Sequence, residues 1–168
     1  MKAIIYTSNT GSTAEYAQLL GKELNLPVHS LQQAKNKMPA GSEIIYLGWI
    51  MAGGIKGYKK AAKLYKVRAV CGVGMGQTGT QLKEVRDKNA IPQRIPLFTL
   101  QGNFDVKKLH GVYRFMMNVM VKTAGKGLEN KTDRTPEEDD MLDMMVNGGK
   151  RVSLQNLKAV TEWYKSVF

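Results

Sequence analysis

The sequence predicts an α/β fold, a parallel sheet with helices on both faces, and three observations carry that reading. Apolar runs of strand length alternate with segments of helical periodicity along most of the chain. The strongest runs, residues 43–49 and 67–73, are apolar almost throughout, as strands covered on both faces are. The first strand passes through a turn rich in glycine and hydroxyls straight into a helix.

Each element follows from its residues. Residues 3–6 form a short β-branched and aromatic run, a buried strand. Ala14, Ala17, Leu20, Gly21 and Leu24 then recur at helical spacing, so a helix begins near Thr13. Residues 27–30 suffice only for an edge strand, 31–38 for a brief helix, and 39–42 for a turn. Strand 43–49 is followed by a lysine-rich helix over 57–65, strand 67–73 by a helix over 77–88, and residues 96–101 make the last strand. The C-terminal stretch 153–168 is amphipathic, with Leu154, Leu157, Val160, Trp163, Tyr164 and Val167 on one side. At 168 residues the chain reads as a single domain, 1–168, with an insertion over roughly 102–152 that the sheet does not require.

The loop after the first strand has the chemistry of a phosphate cradle. Thr7, Ser8, Thr10, Ser12 and Thr13 surround Gly11, and no residue there is apolar. The first N–H groups of the following helix and the positive end of its dipole favour an anion at this loop. It lacks the lysine of a nucleoside-triphosphate loop and the three spaced glycines of a dinucleotide fingerprint. Ser8-Asn9-Thr10-Gly11-Ser12-Thr13, preceded by Ile4-Ile5-Tyr6 and followed by Ala17 and Leu20, resembles the flavodoxin signature. That resemblance implies a three-layer sandwich whose five-stranded parallel sheet has the order 2-1-3-4-5, with the long insertion after its last strand. It also implies FMN as cofactor. The family holds the FMN phosphate on this loop through hydroxyls and backbone amides, with no counter-cation.

In that sheet order the ligand sits at the carboxyl ends of the strands, where the winding reverses. The expected cofactor-binding residues are therefore Ser8, Asn9, Thr10, Gly11, Ser12 and Thr13 in the cradle. Trp49, Ile50, Met51, Ala52 and Gly53 follow in the next loop, where an aromatic ring either stacks on the flavin or ends its strand in the core. Val73, Gly74, Met75 and Gly76 complete the set, their backbone N–H groups facing the ring's polar edge. Gly74-Met-Gly-Gln-Thr-Gly79 also matches G-x-G-x-x-G, but no acid lies near the end of the next strand, so the match does not indicate a dinucleotide.

Bulk properties bound the remaining choices. No run of eighteen uncharged apolar residues exists, and the chain starts directly on a strand, so neither a membrane span nor a signal peptide is expected. A single cysteine, Cys71, excludes an internal disulfide, and neither His29 nor His110 has a neighbouring partner for a metal or a nucleophile pair. The expected location is cytoplasmic, and no metal is expected. The net charge of +11 is unlike the acidic flavodoxins that shuttle electrons between proteins, and it draws anionic partners. Five of the fourteen acids are gathered at Glu137, Glu138, Asp139, Asp140 and Asp143. The step Thr135-Pro136-Glu137-Glu138 reads as an N-cap, an N1 proline and first-turn acids.

Residues 109–122 read as a helix with one narrow polar stripe, His110, Arg114, Asn118 and Lys122. Leu109, Val112, Tyr113, Phe115, Met116, Val119 and Met120 cover most of the rest, and Met117 and Val121 extend them. So wide an apolar face needs cover from the core, a second subunit or a bilayer interface, and we expect contact beyond the sheet, peripheral to a membrane or between subunits. The segment from Arg114 to Gly125 resembles a stretch in quinone-dependent protoporphyrinogen dehydrogenases, basic membrane-associated enzymes of the same fold. The expected function is an FMN-binding redox protein, an electron-transfer protein or oxidoreductase acting on a quinone or similar acceptor. A flavodoxin-type carrier between proteins is the alternative. A non-redox nucleotide- or nucleic-acid-binding module is the alternative of another class, opposed by lysines spread along the chain with few interleaved aromatics. The sequence identifies no catalytic acid, base or nucleophile.

Overall fold

Alternate residues along each central strand feed two separate cores, and that alternation sets the layers. The computed structural model describes residues 1–104 and 111–168. Its strands are β1 (Ala3–Thr7), β2 (Val28–Ser30), β3 (Glu43–Met51), β4 (Gly54–Ile55), β5 (Lys66–Gly74) and β6 (Leu97–Gln101). Five of them pair in parallel in the order β2-β1-β3-β5-β6. The remaining strand, β4, folds back antiparallel on the end of β3, pairing Ile50 with Ile55 and Met51 with Gly54. With that two-residue strand set aside, the expected order 2-1-3-4-5 is the order found.

Ile5, Ile44, Tyr46 and Val70 point to a core covered by α2 (Leu31–Lys37), α3 (Tyr58–Leu64) and α4 (Leu82–Asn89). Ile4, Ile45, Leu47, Ala69 and Cys71 point to the opposite core, under α1 (Ser12–Leu24) and α7 (Lys158–Val167). Cys71 is fully enclosed, and burial pushes its thiol up to about 12, which makes it an inert core residue. Leu157, just before α7, and Val160 within it are buried and Trp163 packs near Phe98, but Leu154 and Val167 stay exposed.

Three boundaries differ from the sequence reading. β3 runs past its expected end at Trp49 through Ile50 and Met51, because the chain reverses at Ala52 and Gly53, both at positive φ, and pairs with β4. β5 likewise runs one residue past Val73, to Gly74. The following helix begins at Leu82, not near residue 77, because the intervening turn is tied to β6. Gly79 N–H donates to the Thr99 carbonyl at 3.0 Å, Thr99 Oγ1 donates to the Thr80 carbonyl at 2.7 Å, and Gln101 N–H donates to Thr78 Oγ1 at 3.0 Å. Gly79 thus sits in an extended turn and not at a helix start, which removes the geometry of a dinucleotide fingerprint.

The insertion leaves and re-enters the sheet at one point. Phe104 and Gly149 exchange backbone hydrogen bonds of 2.9 and 3.1 Å. Between them run α5 (Gly111–Glu129) and α6 (Pro136–Asn147), packed on each other. Leu109 and His110 lie outside the described residues, as do the side chains of Val112, Tyr113, Met116, Met117 and Met120. Thr135 and Glu138 close a full capping box on α6, with Pro136 in the first turn. Four of the five clustered acids are matched locally: Glu138 with Lys131, Asp139 with Arg134, Asp140 and Asp143 with Arg151. Gln101, at the end of β6, donates to Asp140 at 2.5 Å, and Met144 is fully buried beside it. These contacts anchor α6 to the carboxyl end of the sheet.

Candidate functional site

The loop from Ser8 to Thr13 lies at the carboxyl end of β1 and opens α1. Gly11 is the N-cap in left-handed backbone, φ 104°, with open space where a Cβ would project, and no side chain caps the helix. Its neighbour α2 differs, because Ser30 and Gln33 satisfy that helix end with a complete capping box. The amides at the start of α1 therefore remain available to an external acceptor. Ser8 Oγ accepts from Gly11 N–H at 3.2 Å and tightens the loop. Thr10 is half-buried and Thr13 only 1% exposed. Ser12 turns its hydroxyl away from the loop, to the backbone of Asn103, and leaves only its amide for a ligand.

Asn103 is a positioning residue that sequence reasoning missed. Its Oδ1 accepts from Arg151 N–H at 2.7 Å and Val152 N–H at 3.0 Å, and its Nδ2 donates to Glu15 at 3.1 Å. One side chain therefore joins the first turn of α1 to the return of the insertion. The only signal was a polar Gly102-Asn103 step directly after the last strand.

Tyr46 fixes the other side. Its hydroxyl lies 2.7 Å from both the Lys56 carbonyl, to which it donates, and Thr7 Oγ1. Burial pushes the phenol up to about 12, against a smaller opposite effect of the Thr7 bond. Gly57 passes so close, at φ 81°, that a Cβ there would meet the Tyr46 hydroxyl and Thr7 Oγ1. Tyr46 thereby ties the end of β1 to the chain entering α3.

The β3–β4 hairpin is held from behind by Asn89, which is 5% exposed. Its Oδ1 accepts from Ile55 N–H at 2.7 Å, and its Nδ2 donates to the carbonyls of Gly53 at 2.8 Å and Val85 at 2.7 Å. The Ile50 side chain packs where Gly72 and Gly74 have no Cβ, so those glycines serve the hairpin's seating on β5. Trp49 is half-buried at the end of β3 on the α1 side, with Lys56 Nζ 5.7 Å from its ring centroid. The Val73 side chain belongs to the core, while Met75 and Gly76 are half-buried in the loop beyond β5.

A cleft of about 790 Å³ opens at the cradle, lined by Tyr6 to Asn9, Gly11 and Ala14 on one side and by Ser30, Leu31, Gln32, Lys35 and Lys60 on the other. It reaches toward α2 and α3, and neither Trp49 nor Met75 and Gly76 line it. The expected residues thus form two groups at one end of the sheet: the cradle with its cleft, and the hairpin beside the loop after β5. Among the described residues no group of three or more His, Cys, Asp or Glu is placed to hold a metal. Nor is any helix among them long and apolar enough to cross a membrane.

Compared with known families, residues 3–132 match the model of the flavodoxin domain. The chain belongs to the flavodoxin domain family. The match takes in the whole sheet and α5, while α6 and α7 lie beyond it. A comparison with curated proteins found no match. The residues present fit the flavin nucleotide that such a domain generally binds. An uncapped helix N-terminus stands behind a hydroxyl-rich loop, and Gly11 leaves open space beside it at the point where the sheet's winding reverses.

Proposed function

We propose that this member of the flavodoxin family binds FMN non-covalently and passes electrons to a quinone-like acceptor, in the manner of the protoporphyrinogen dehydrogenases that its insertion resembles. The observation that carries the cofactor is the uncapped start of α1 behind Ser8 to Thr13, at the topological switch between β1 and β3. On this reading the backbone amides of the cradle, with the Thr10 and Thr13 side chains, hold the phosphate. Trp49 to Gly53 and Val73 to Gly76 border the ring through backbone and the half-buried Trp49. Bound FMN supplies the reversible uptake and release of electrons. The chain's residues bind it, orient it and set its surroundings through Asn89, Tyr46 and Asn103, which fix the surrounding loops.

The acceptor reading draws support from α5. Phe115 is 68% and Val119 45% exposed, one turn apart, beside exposed Arg114, Lys122 and Lys126. Apolar side chains flanked by cations suit the surface of an anionic bilayer, where a quinone-like acceptor dissolves. With Arg114, Lys122, Lys126 and Glu129 along its nineteen residues the helix is not apolar enough to span, so on this reading it lies in the interface. The protein reconstituted with FMN should quench flavin fluorescence. After anaerobic reduction it should be reoxidised rapidly by a quinone. Reoxidation by redox proteins alone would make it a carrier, and no saturable binding of any flavin would end the cofactor reading. In flotation with anionic vesicles, Phe115→Ser/Val119→Ser should lose vesicle binding while keeping FMN. A wild type that ignores vesicles and dimerises through these residues would move the contact to a second subunit.

A further inference from the structure

The cradle has no cation of its own. Ser8 to Thr13 offers hydroxyls, an amide side chain and backbone N–H groups, so a phosphate dianion there meets neutral donors and the α1 dipole only. The adjoining cleft supplies what the loop lacks. Its walls join Ser8, Asn9 and Gly11 to Lys35 of α2 and Lys60 of α3.

These lysines are twenty-five positions apart in sequence and come from separate helices, yet their ammonium groups converge. The Lys60 ammonium beside it holds Lys35 below the ordinary lysine range, and both line the same cleft. Both side chains are exposed, so core packing does not force them together. Neither makes an ion pair among the described residues. From Leu24 to Lys83 the sequence holds one acid, Glu43, and that carboxylate is engaged with Lys66 and Arg68 at the start of β3. Two cations brought together repel, and among the described residues no carboxylate pairs with either of them. An external anion relieves that repulsion, and the cleft connects the pair with the hydroxyl-rich loop at the start of α1.

We propose that Lys35 and Lys60 are the cationic half of the phosphate site, gripping the phosphate of the flavin nucleotide from the cleft while Ser8 to Thr13 holds it from the start of α1. This rests on the FMN reading above. It adds to it a charged clamp that the flavodoxin cradle by itself does without. The clamp recognises the phosphate and not the ring, so it discriminates FMN from riboflavin.

The test compares dissociation constants for FMN and riboflavin, read by flavin fluorescence at low salt. Lys35→Met/Lys60→Met should weaken FMN by about tenfold or more, the scale of a lost charge-assisted contact, and leave riboflavin within about twofold. The salt dependence of FMN binding should fall in the same variant, because screening acts on the charges removed. Lys59→Met/Lys63→Met removes equal charge from α3 at positions that do not line the cleft, and it should change FMN binding by less than about twofold. Lys35→Gln/Lys60→Gln repeats the measurement with polar replacements, and thermal melts verify that each variant folds. An unchanged ratio of FMN to riboflavin affinity in both cleft variants overturns the clamp, as does an equal loss in the Lys59/Lys63 control. Absence of flavin binding by the wild type overturns the cofactor reading itself, so the two failures are distinct.

Discussion

Replacing Asn89 by alanine should loosen the β3–β4 hairpin without touching any residue of the cradle. Asn89 makes three side-chain hydrogen bonds, to Ile55 N–H, the Gly53 carbonyl and the Val85 carbonyl. Their losses are unequal. The Gly53 carbonyl sits at a half-buried turn where water can replace the amide, and the Val85 carbonyl retains its place in the helix ladder. Ile55 N–H has no such recourse, because Ile55 is only 5% exposed. An orphaned buried donor costs about 1–3 kcal/mol and the one bond exchanged for water about 1 more, so the variant should lose roughly 3 kcal/mol. For a domain of this size that lowers the melting temperature by about 6–12 °C. Calorimetry gives the loss, and hydrogen exchange locates it, with faster exchange at Ile55 and its neighbours while β1 keeps its protection. A variant melting within about 1 °C of wild type, with Ile55 still protected, would refute the reasoning.

Tyr46→Phe deletes the bridge between Thr7 and Lys56 and should cost about 1–2 kcal/mol in a denaturant melt. The same phenol gives a pH signature. Its folded-state value is raised to about 12 by burial, so the stability that depends on the neutral form is complete below the unfolded value near pH 10 and is lost as pH rises from there through about 12. Tyr46→Phe should flatten that alkaline slope, and an unchanged slope would contradict the assignment. The insertion should respond at the acid end. Lys131 holds the Glu138 carboxyl below its ordinary range, and Asn147 followed by Arg151 does the same for Asp143. Depressed carboxylates contribute stability above the unfolded value near pH 4 and lose it as pH falls through their lower folded values. Hydrogen exchange over Pro136–Asn147 should therefore accelerate below about pH 4 before the sheet opens, and simultaneous opening would count against local anchoring.

Periodicity and loop chemistry were enough to place what is local. Ile4 and Ile5 feed opposite cores because the strand is apolar on both faces, and that was legible from residues 3–6 alone. The hydroxyls around Gly11, a strand before them and helical spacing after them, located the cradle for the same reason: each signal acts within a few residues. The N-cap at Thr135 and the first-turn Pro136 were equally visible. The hairpin at residues 50–55 was not legible, because glycines that read as a loop become a hairpin only when β4 can pair on the end of β3 and Asn89 can reach it from α4. Residues 77–81 likewise look ready for a helix, and only Thr99 and Gln101, a strand away, draw them into a turn. Asn103 gave no periodic signal, since its partners lie at Glu15 and Arg151. The meeting of Lys35 with Lys60 depends on α2 and α3 covering the same face of the sheet. A sequence pattern states which side of each element is apolar. Which polar groups then face one another is decided by strand order and layer packing, because a buried donor or a charge takes its partner from whatever the fold brings within reach.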